Sequence, residues 1–336
     1  MAINFGLLII RFLLFSFSVQ LLNIPTKWIK LWYQSQAAKK LLQYSDLKVI
    51  GITGSYGKTS VKTYLSQLLE IDYNVVKTPE NINTPIGVAK FILSHDFSTN
   101  DIFLVEMGAY QPGEIKVICD MVKPKIGILT GINEEHLSLF GSIEAIQQTK
   151  YELLRSVPNE GLVVTCADNK YCTEYLDELK ANTIKTFGVD EINEPDFLIK
   201  QIESKQDKLY FSGKLEGNPI EITASVVGRH NAENLANSIL TAHFLGVTLK
   251  TIKDKCLKLN VPDRRLTIRD YGRATIIDDS YNANPRGFKA ALNVLDSFSS
   301  SKKHIVITRG MLELGKRSYE IHKEMGEEIS FYADEL

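Results

Sequence analysis

The chain has little cysteine: four residues in 336, Cys119, Cys166, Cys172 and Cys256, with no C-x-x-C pair among them. That excludes the disulfide framework of a small secreted domain and leaves reduced, mostly buried thiols as the expectation. An excess of either charge is also missing, since 39 Lys and Arg face 40 Asp and Glu for a formal net charge of −1. Without a broad positive field, nucleic acid is excluded as a favoured partner. No internal repeat and no low-complexity tract is present, which argues against solenoids and disordered tails. What the chain does have is length and apolar content, 336 residues at 44% apolar, enough for two ordinary domains with cores of their own.

The amino terminus departs from this average. Ile3 to Leu22 is almost wholly apolar, broken by Asn4, Arg11, Gln20 and small residues. A helix of roughly 20 such residues reaches ~30 Å, the thickness of a bilayer core, so a membrane-associated helix is expected over 1–24. Lys27, Trp28, Lys30, Trp32, Tyr33, Lys39 and Lys40 follow, a mixture of cations and aromatics that suits a juxtamembrane linker over 25–46. The positive-inside rule then puts the remainder on the cytoplasmic face of the cell membrane. A buried or interfacial helix is the alternative, and Arg11 favours it.

The richest stretch is Val49 to Ser60, VIGITGSYGKTS. Val49, Ile50 and Ile52 suit a buried strand, and Val61 to Leu69 carries apolar residues at helical spacing, so the glycines sit at a strand-to-helix turn. A phosphate-binding loop needs that context. Glycines let the backbone approach an anion, successive N–H groups converge on it, and the start of the following helix adds a favourable field. Gly54, Ser55, Gly57, Lys58, Thr59 and Ser60 are therefore the nucleotide-binding candidates, with Lys58 reaching the terminal phosphates and the Thr59 hydroxyl ligating magnesium. The match to G-x-x-x-x-G-K-[ST] is imperfect, because Ile52 occupies the first glycine position and the glycines fall at Gly51, Gly54 and Gly57.

From Leu47 onward, apolar runs alternate with helical segments, which predicts an α/β fold with a mainly parallel sheet and ligands gathered beyond the carboxyl ends of its strands. Short alternating runs over 186–227 read as hairpins appended to that sheet. Pro262 and Asp263 mark a boundary, giving a central ATP-binding domain over 47–262 and a partial Rossmann-like domain over 263–336. In the latter, ATIIDDSY and HIVITRGM are the expected strands, separated by the helix PRGFKAALNVLDSF.

Five further clusters put polar and charged residues at predicted strand ends. They are Thr78 to Gly87, by itself a plain turn; Val105-Glu106-Met107-Gly108, whose carboxylate ends an apolar strand; Thr130 to His136; Thr149-Lys150-Tyr151; and Gly228 to Asn234. Together with the loop, with Asp278-Asp279-Ser280-Tyr281-Asn282-Ala283-Asn284-Pro285 and with Gly310-Met311-Leu312-Glu313-Leu314-Gly315, these resemble the Mur ligase superfamily in order and spacing. They are most similar to its UDP-N-acetylmuramoyl-tripeptide:D-alanyl-D-alanine ligase branch.

The resemblance implies an ATP-dependent amide ligase of peptidoglycan precursor synthesis. A muramoyl-peptide carboxylate, nucleotide- or lipid-linked, is phosphorylated to an acyl phosphate and then captured by an amine such as D-Ala-D-Ala. ATP and two Mg2+ ions are implied as cofactors. Lys58, His136 and Lys150 become catalytic candidates; Thr59 and Glu106 bind one magnesium, His136 joins a second, and Lys150 matches a lysine that is carbamylated. Asn234, Asn282 and Asn284 are placed near adenine and ribose, Arg265 reaches the phosphates from the second domain, and Asp279 holds that interdomain contact. Alternatives are another amide ligase of the superfamily, similar to poly-gamma-glutamate synthase or to lipid II-modifying relatives, and a non-catalytic ATP-binding subunit. The carbamate carries a prediction: Lys150→Ala should lose ligase activity that high bicarbonate does not restore, as read by phosphate release from ATP, whereas full activity in that variant would remove the carbamate.

Overall fold

The computed structural model describes residues 2–134, 137–205, 208–281, 285–298, 302–311, 314 and 317–336. His136, Asn282 and Asn284, three of the expected site residues, fall outside them. The elements run α1 (Ala2–Leu41), β1 (Lys48–Thr53), α2 (Lys58–Leu69), β2 (Val75–Lys77), α3 (Pro85–Ser94), β3 (Ile102–Glu106), α4 (Glu114–Val122), β4 (Ile126–Leu129), α5 (Leu137–Phe140), α6 (Ile143–Leu154), β5 (Leu162–Cys166) and α7 (Lys170–Thr173). They continue with β6 (Thr183–Gly188), β7 (Phe197–Ser204), β8 (Leu209–Leu215), β9 (Asn218–Ala224), α8 (Asn231–Phe244), α9 (Leu249–Cys256), β10 (Thr267–Asp270), β11 (Thr275–Asp278), α10 (Pro285–Asp296) and α11 (Ser318–Tyr332).

A nine-stranded sheet in the order β2-β3-β1-β4-β5-β6-β7-β8-β9 forms the body. It is parallel from β2 to β7, and β8 and β9 then return antiparallel. The expected hairpins therefore begin at Phe197, not at Thr186, which lies inside β6 and pairs in parallel with Thr165. Every residue of β3, β4 and β5 is buried, as a parallel sheet covered on both faces requires.

Alternation along β1 sorts the two cores. Ile50 and Ile52 face one apolar cluster with Val61, Tyr64, Leu65 and Leu68 of α2 and with Leu235 and Ile239 of α8. Val49 faces the other, with Val88 and Ile92 of α3, Ile115 and Ile118 of α4, and Tyr151 and Leu153 of α6. Gly51 points the same way as Val49, and a Cβ there would stand 2.6 Å from Leu153 Cδ1 and 2.8 Å from Met107 Cε. The glycine lets α6 lie close to the sheet. All four cysteines are free and buried, and burial pushes each thiol up to about 12.

The amino-terminal expectation is corrected. Among the described residues no helix is long and apolar enough to cross a membrane. The membrane-crossing segment, and with it the placement on a cytoplasmic membrane face, does not hold. Nor do 25–46 form a separate linker, because α1 continues through Pro25 to Leu41. Its last turns pack on α3 and α4, with Ala37 fully buried and Leu41 nearly so. Lys40 Nζ donates to the carbonyls of Leu93 at 3.0 Å and His95 at 2.6 Å, serving the end of α3. The basic residues expected at a lipid headgroup are thus partly used within the protein.

The carboxy-terminal part differs from expectation as well. Among the described residues β11 pairs with β10 alone, in an antiparallel ribbon. The run HIVITRGM forms no strand; Ile305 makes a single parallel bridge to Glu335, and Ile307 is exposed. A strand persists only where neighbours supply a ladder, and one bridge is not a ladder. α10 and α11 pack instead around Leu292, Met311, Met325 and Ile329.

Candidate active site

The carboxyl ends of β1, β3 and β4 bring Thr53, Glu106 and Thr130 to one edge, with Ile52 registered beside Glu106 and Thr53 beside Leu129. The loop from Gly54 to Gly57 rises from this edge into α2. Gly54 (φ +147°) and Gly57 (φ +77°) adopt backbone that side-chain-bearing residues rarely take, and a Cβ would lie 2.0 Å from Thr130 Oγ1 at Gly54 and 2.5 Å from Asn234 Oδ1 at Gly57. Thr130 supports the loop from below by donating to the Tyr56 carbonyl, and Ser55 N–H donates to the Gly131 carbonyl at 2.8 Å. Lys58 folds over the loop, its ammonium donating to the carbonyls of Gly54 at 2.7 Å and Ser55 at 3.1 Å. Ser60, in the first turn of α2, is buried.

Glu106 is the centre of the arrangement. Its side chain is only 4% exposed, and its Oε2 receives the Thr59 hydroxyl at 2.9 Å and the Lys62 ammonium at 2.9 Å. Asn83 Nδ2 donates to Oε1 at 3.2 Å. Burial opposes the charge, but the ammonium groups of Lys62 and Lys58 outweigh it and hold the carboxyl below its ordinary value. Glu106 is therefore an ionised carboxylate at neutral pH. Asn83 belongs to the segment that reads as a plain turn, and its contact gives that segment a role in the site. Lys62 was not expected here; the available signal was its position one turn after Lys58 on the same helix.

The second part of the chain reaches this centre through Arg265, which donates to Thr59 Oγ1 at 3.0 Å and lies over the Tyr281 ring at 4.1 Å. The flanking residues Arg264 (φ 57°) and Leu266 (φ 54°) are both left-handed, at a cost of roughly 1–2 kcal/mol each. That kink points the intervening side chain at the loop. Tyr281 OH donates to Asn81 Oδ1, and Arg317 pairs with Glu134 at 3.1 Å, so among the described residues three polar side-chain contacts join the two parts, beside the packing of Leu266 on Val227. Asp279 Oδ1 accepts from the Leu266 N–H at 3.0 Å and fixes the kink. Burial pushes the Asp279 carboxyl up to about 7, against that hydrogen bond and the Arg265 charge.

Asn234 touches the loop at Gly57 and donates to Asn231 Oδ1 at 2.9 Å. Lys150, on α6, is buried at 3% exposure. Between the parts runs a cleft of about 2650 Å³, lined by Lys58, Thr59 and Glu106 on one side and by Arg265, Arg273, Tyr281 and Met325 on the other. A single small-molecule site occupies roughly 300–1,000 Å³, so there is room for several ligands together. Among the described residues no three His, Cys, Asp or Glu side chains gather to hold a metal by themselves. The hydroxyl of Thr59 and the carboxylate of Glu106 are hard oxygen donors, a set that fits a magnesium ion taking its other ligands from water and phosphate.

Comparison with known proteins follows the same division. The family model for the Mur ligase middle domain matches residues 52–242, and that for the Mur ligase glutamate ligase domain matches 264–336. The chain is 30% identical over 296 residues to the UDP-N-acetylmuramoyl-tripeptide--D-alanyl-D-alanine ligase of Bacillus subtilis, covering 88% of this chain and 63% of that protein. With the Escherichia coli protein of the same name it shares 28% over 286 residues, 85% of this chain and 62% of the other. The chain thus spans less than two thirds of the length of these relatives. Among solved structures, MurF from Acinetobacter baumannii superposes with a TM-score of 0.80 at 26% identity, covering 90% of this chain and 65% of that one. MurF from Thermotoga maritima in complex with ADP gives 0.78 at 28%, covering 90% and 69%.

Asp279 generates a pH prediction. A carboxyl raised from 3.8 to about 7 on folding stabilises the protein most below 3.8, and that contribution is lost as pH rises towards 7. Asp279→Asn keeps the acceptor for Leu266 and removes the titration. Thermal melts at about pH 5.5 and 8 should show the variant gaining on the wild type at the higher pH; parallel profiles would contradict this.

Proposed function

Because the chain belongs to the Mur ligase family, we propose that it is an ATP-dependent amide ligase of peptidoglycan precursor synthesis, joining D-alanyl-D-alanine to the peptide carboxylate of a UDP-N-acetylmuramoyl tripeptide. The observation that carries this reading is the Thr59 hydroxyl, bonded to the buried Glu106 carboxylate on one side and met by Arg265 on the other, at the mouth of a phosphate-type loop. The names of the relatives from Bacillus subtilis and Escherichia coli support the substrate pair, and the ADP complex from Thermotoga maritima supports the nucleotide. Within this reading, 47–262 is the ATP-binding domain and 263–336 the domain that closes on it.

The reaction has two steps. A carboxylate oxygen of the peptide attacks the γ-phosphorus of ATP and ADP leaves; the free amine of the dipeptide then attacks the acyl carbon, phosphate leaves, and the amine's surplus proton passes to solvent. Phosphoryl transfer asks for alignment and charge compensation more than for covalent help from the protein. The N–H groups at the start of α2 and the Lys58 ammonium hold the phosphates, and Arg265 adds a second cation from across the cleft. Magnesium, when bound, spreads the negative charge that develops on the transferred group. Thr59 and Glu106 would hold it on this chain, His136 would hold a second ion, and Lys150, if carbamylated by carbon dioxide, would supply a further negative group. Asn234, Asn282 and Asn284 hold the base and ribose. Asp279, by fixing the kink at Leu266, keeps Arg265 directed at the loop. Closure of the cleft keeps water from the acyl phosphate.

The test is phosphate release from ATP by the purified chain. Release should require both the UDP-linked tripeptide and D-alanyl-D-alanine, and Lys58→Met should abolish it. ADP binding with no release on any amine would make the chain a nucleotide-binding subunit instead.

A further inference from the structure

Lys62 has no part in the mechanism above, yet it is the most deeply buried cation described beside the site. It lies one helical turn beyond Lys58 on α2, and its side chain is 2% exposed. Its ammonium stands 2.9 Å from Glu106 Oε2, the same oxygen that receives the Thr59 hydroxyl, and 3.3 Å from the Pro79 carbonyl. A lysine is seldom buried unless its charge is met, and an ionised carboxylate is seldom buried without a countercharge. Each therefore answers for the other. Asn83 occupies the remaining oxygen of Glu106, Oε1, so a cation arriving at Oε2 meets both the lysine and the threonine proton.

We propose that Lys62 is a built-in competitor for the divalent cation, a positioning residue that neutralises Glu106 in the metal-free protein and must yield Oε2 when the metal arrives. The inference rests on the reading of Glu106 as a metal ligand. Its consequence is weak metal binding by the protein alone. Two positive charges facing one oxygen repel, and the buried carboxylate is already compensated, so the cation gains little until a nucleotide supplies phosphate oxygens. Lys62 thereby couples metal occupancy to nucleotide occupancy, and it spares the empty site the cost of an unpaired buried charge.

The test measures Mn2+ binding to the nucleotide-free protein at about pH 8 by the loss of the free-ion paramagnetic resonance signal, beside thermal melts in chelator. Lys62→Met, and Lys62→Gln in case the methionine variant fails to fold, should bind Mn2+ at least about tenfold more tightly than the wild type. Both should melt lower in chelator and recover when Mn2+ is added, while Lys62→Arg should behave as the wild type. Unchanged or weaker Mn2+ binding in Lys62→Met or Lys62→Gln overturns the competition. Glu106→Gln separates the two readings: if it leaves Mn2+ binding intact, Glu106 is no metal ligand and the premise fails; if it abolishes binding while the Lys62 variants match the wild type, only the competition fails.

Discussion

A carboxylate that is ionised and almost out of water sets the terms for the whole site. Glu106 ends a fully buried strand, where an uncompensated charge would cost several kcal/mol on the order of a lost buried ion pair. Its partners come from separate pieces of the chain: Thr59 and Lys62 from α2 and Asn83 from the segment before α3. Satisfying the one anion therefore fixes the register of a helix, a strand and a loop against each other. Arg265 extends the set to the second part of the chain by bonding the same threonine.

Three glycines make that convergence possible, each for its own reason. Gly51 admits α6 to the sheet, Gly54 lets the loop turn over Thr130, and Gly57 starts α2 in contact with Asn234. The unusual spacing of the motif follows. Its first glycine answers to helix–sheet packing, and only the last two shape the loop. The left-handed residues around Arg265 are the matching feature across the cleft, local strain that pays for a directed cation.

The sheet and the loop were legible because both depend on neighbours in sequence: buried runs for the strands, glycines and Lys-Thr-Ser at a strand-to-helix turn for the loop. The features that were not legible depend on distant partners. Lys62 belongs to none of the sequence motifs and gains its role only from Glu106 beside it. Thr186 begins an alternating run, but alternation does not reveal whether the neighbouring strand is parallel, and here β5 is. The run HIVITRGM has strand composition and no ladder to join. At the amino terminus, apolar content suggested a bilayer, whereas the last turns of α1 pack on α3 and α4 and hold the end of α3 through Lys40. For the site, the loop and the carboxylate stand out as residues, Arg265 enters only through the family resemblance, and the hydrogen bonds that join them depend on the fold.

The account stands on Glu106 being charged without help from a metal. Selective 13C labelling of glutamate carboxyl carbons, with Glu106→Gln to assign the resonance, follows that charge directly in the metal-free protein. A titration midpoint below the ordinary 4.5 is predicted, with the carboxylate ionised throughout the neutral range. A resonance that titrates above that value, or that reports a neutral carboxyl at pH 7, would contradict it.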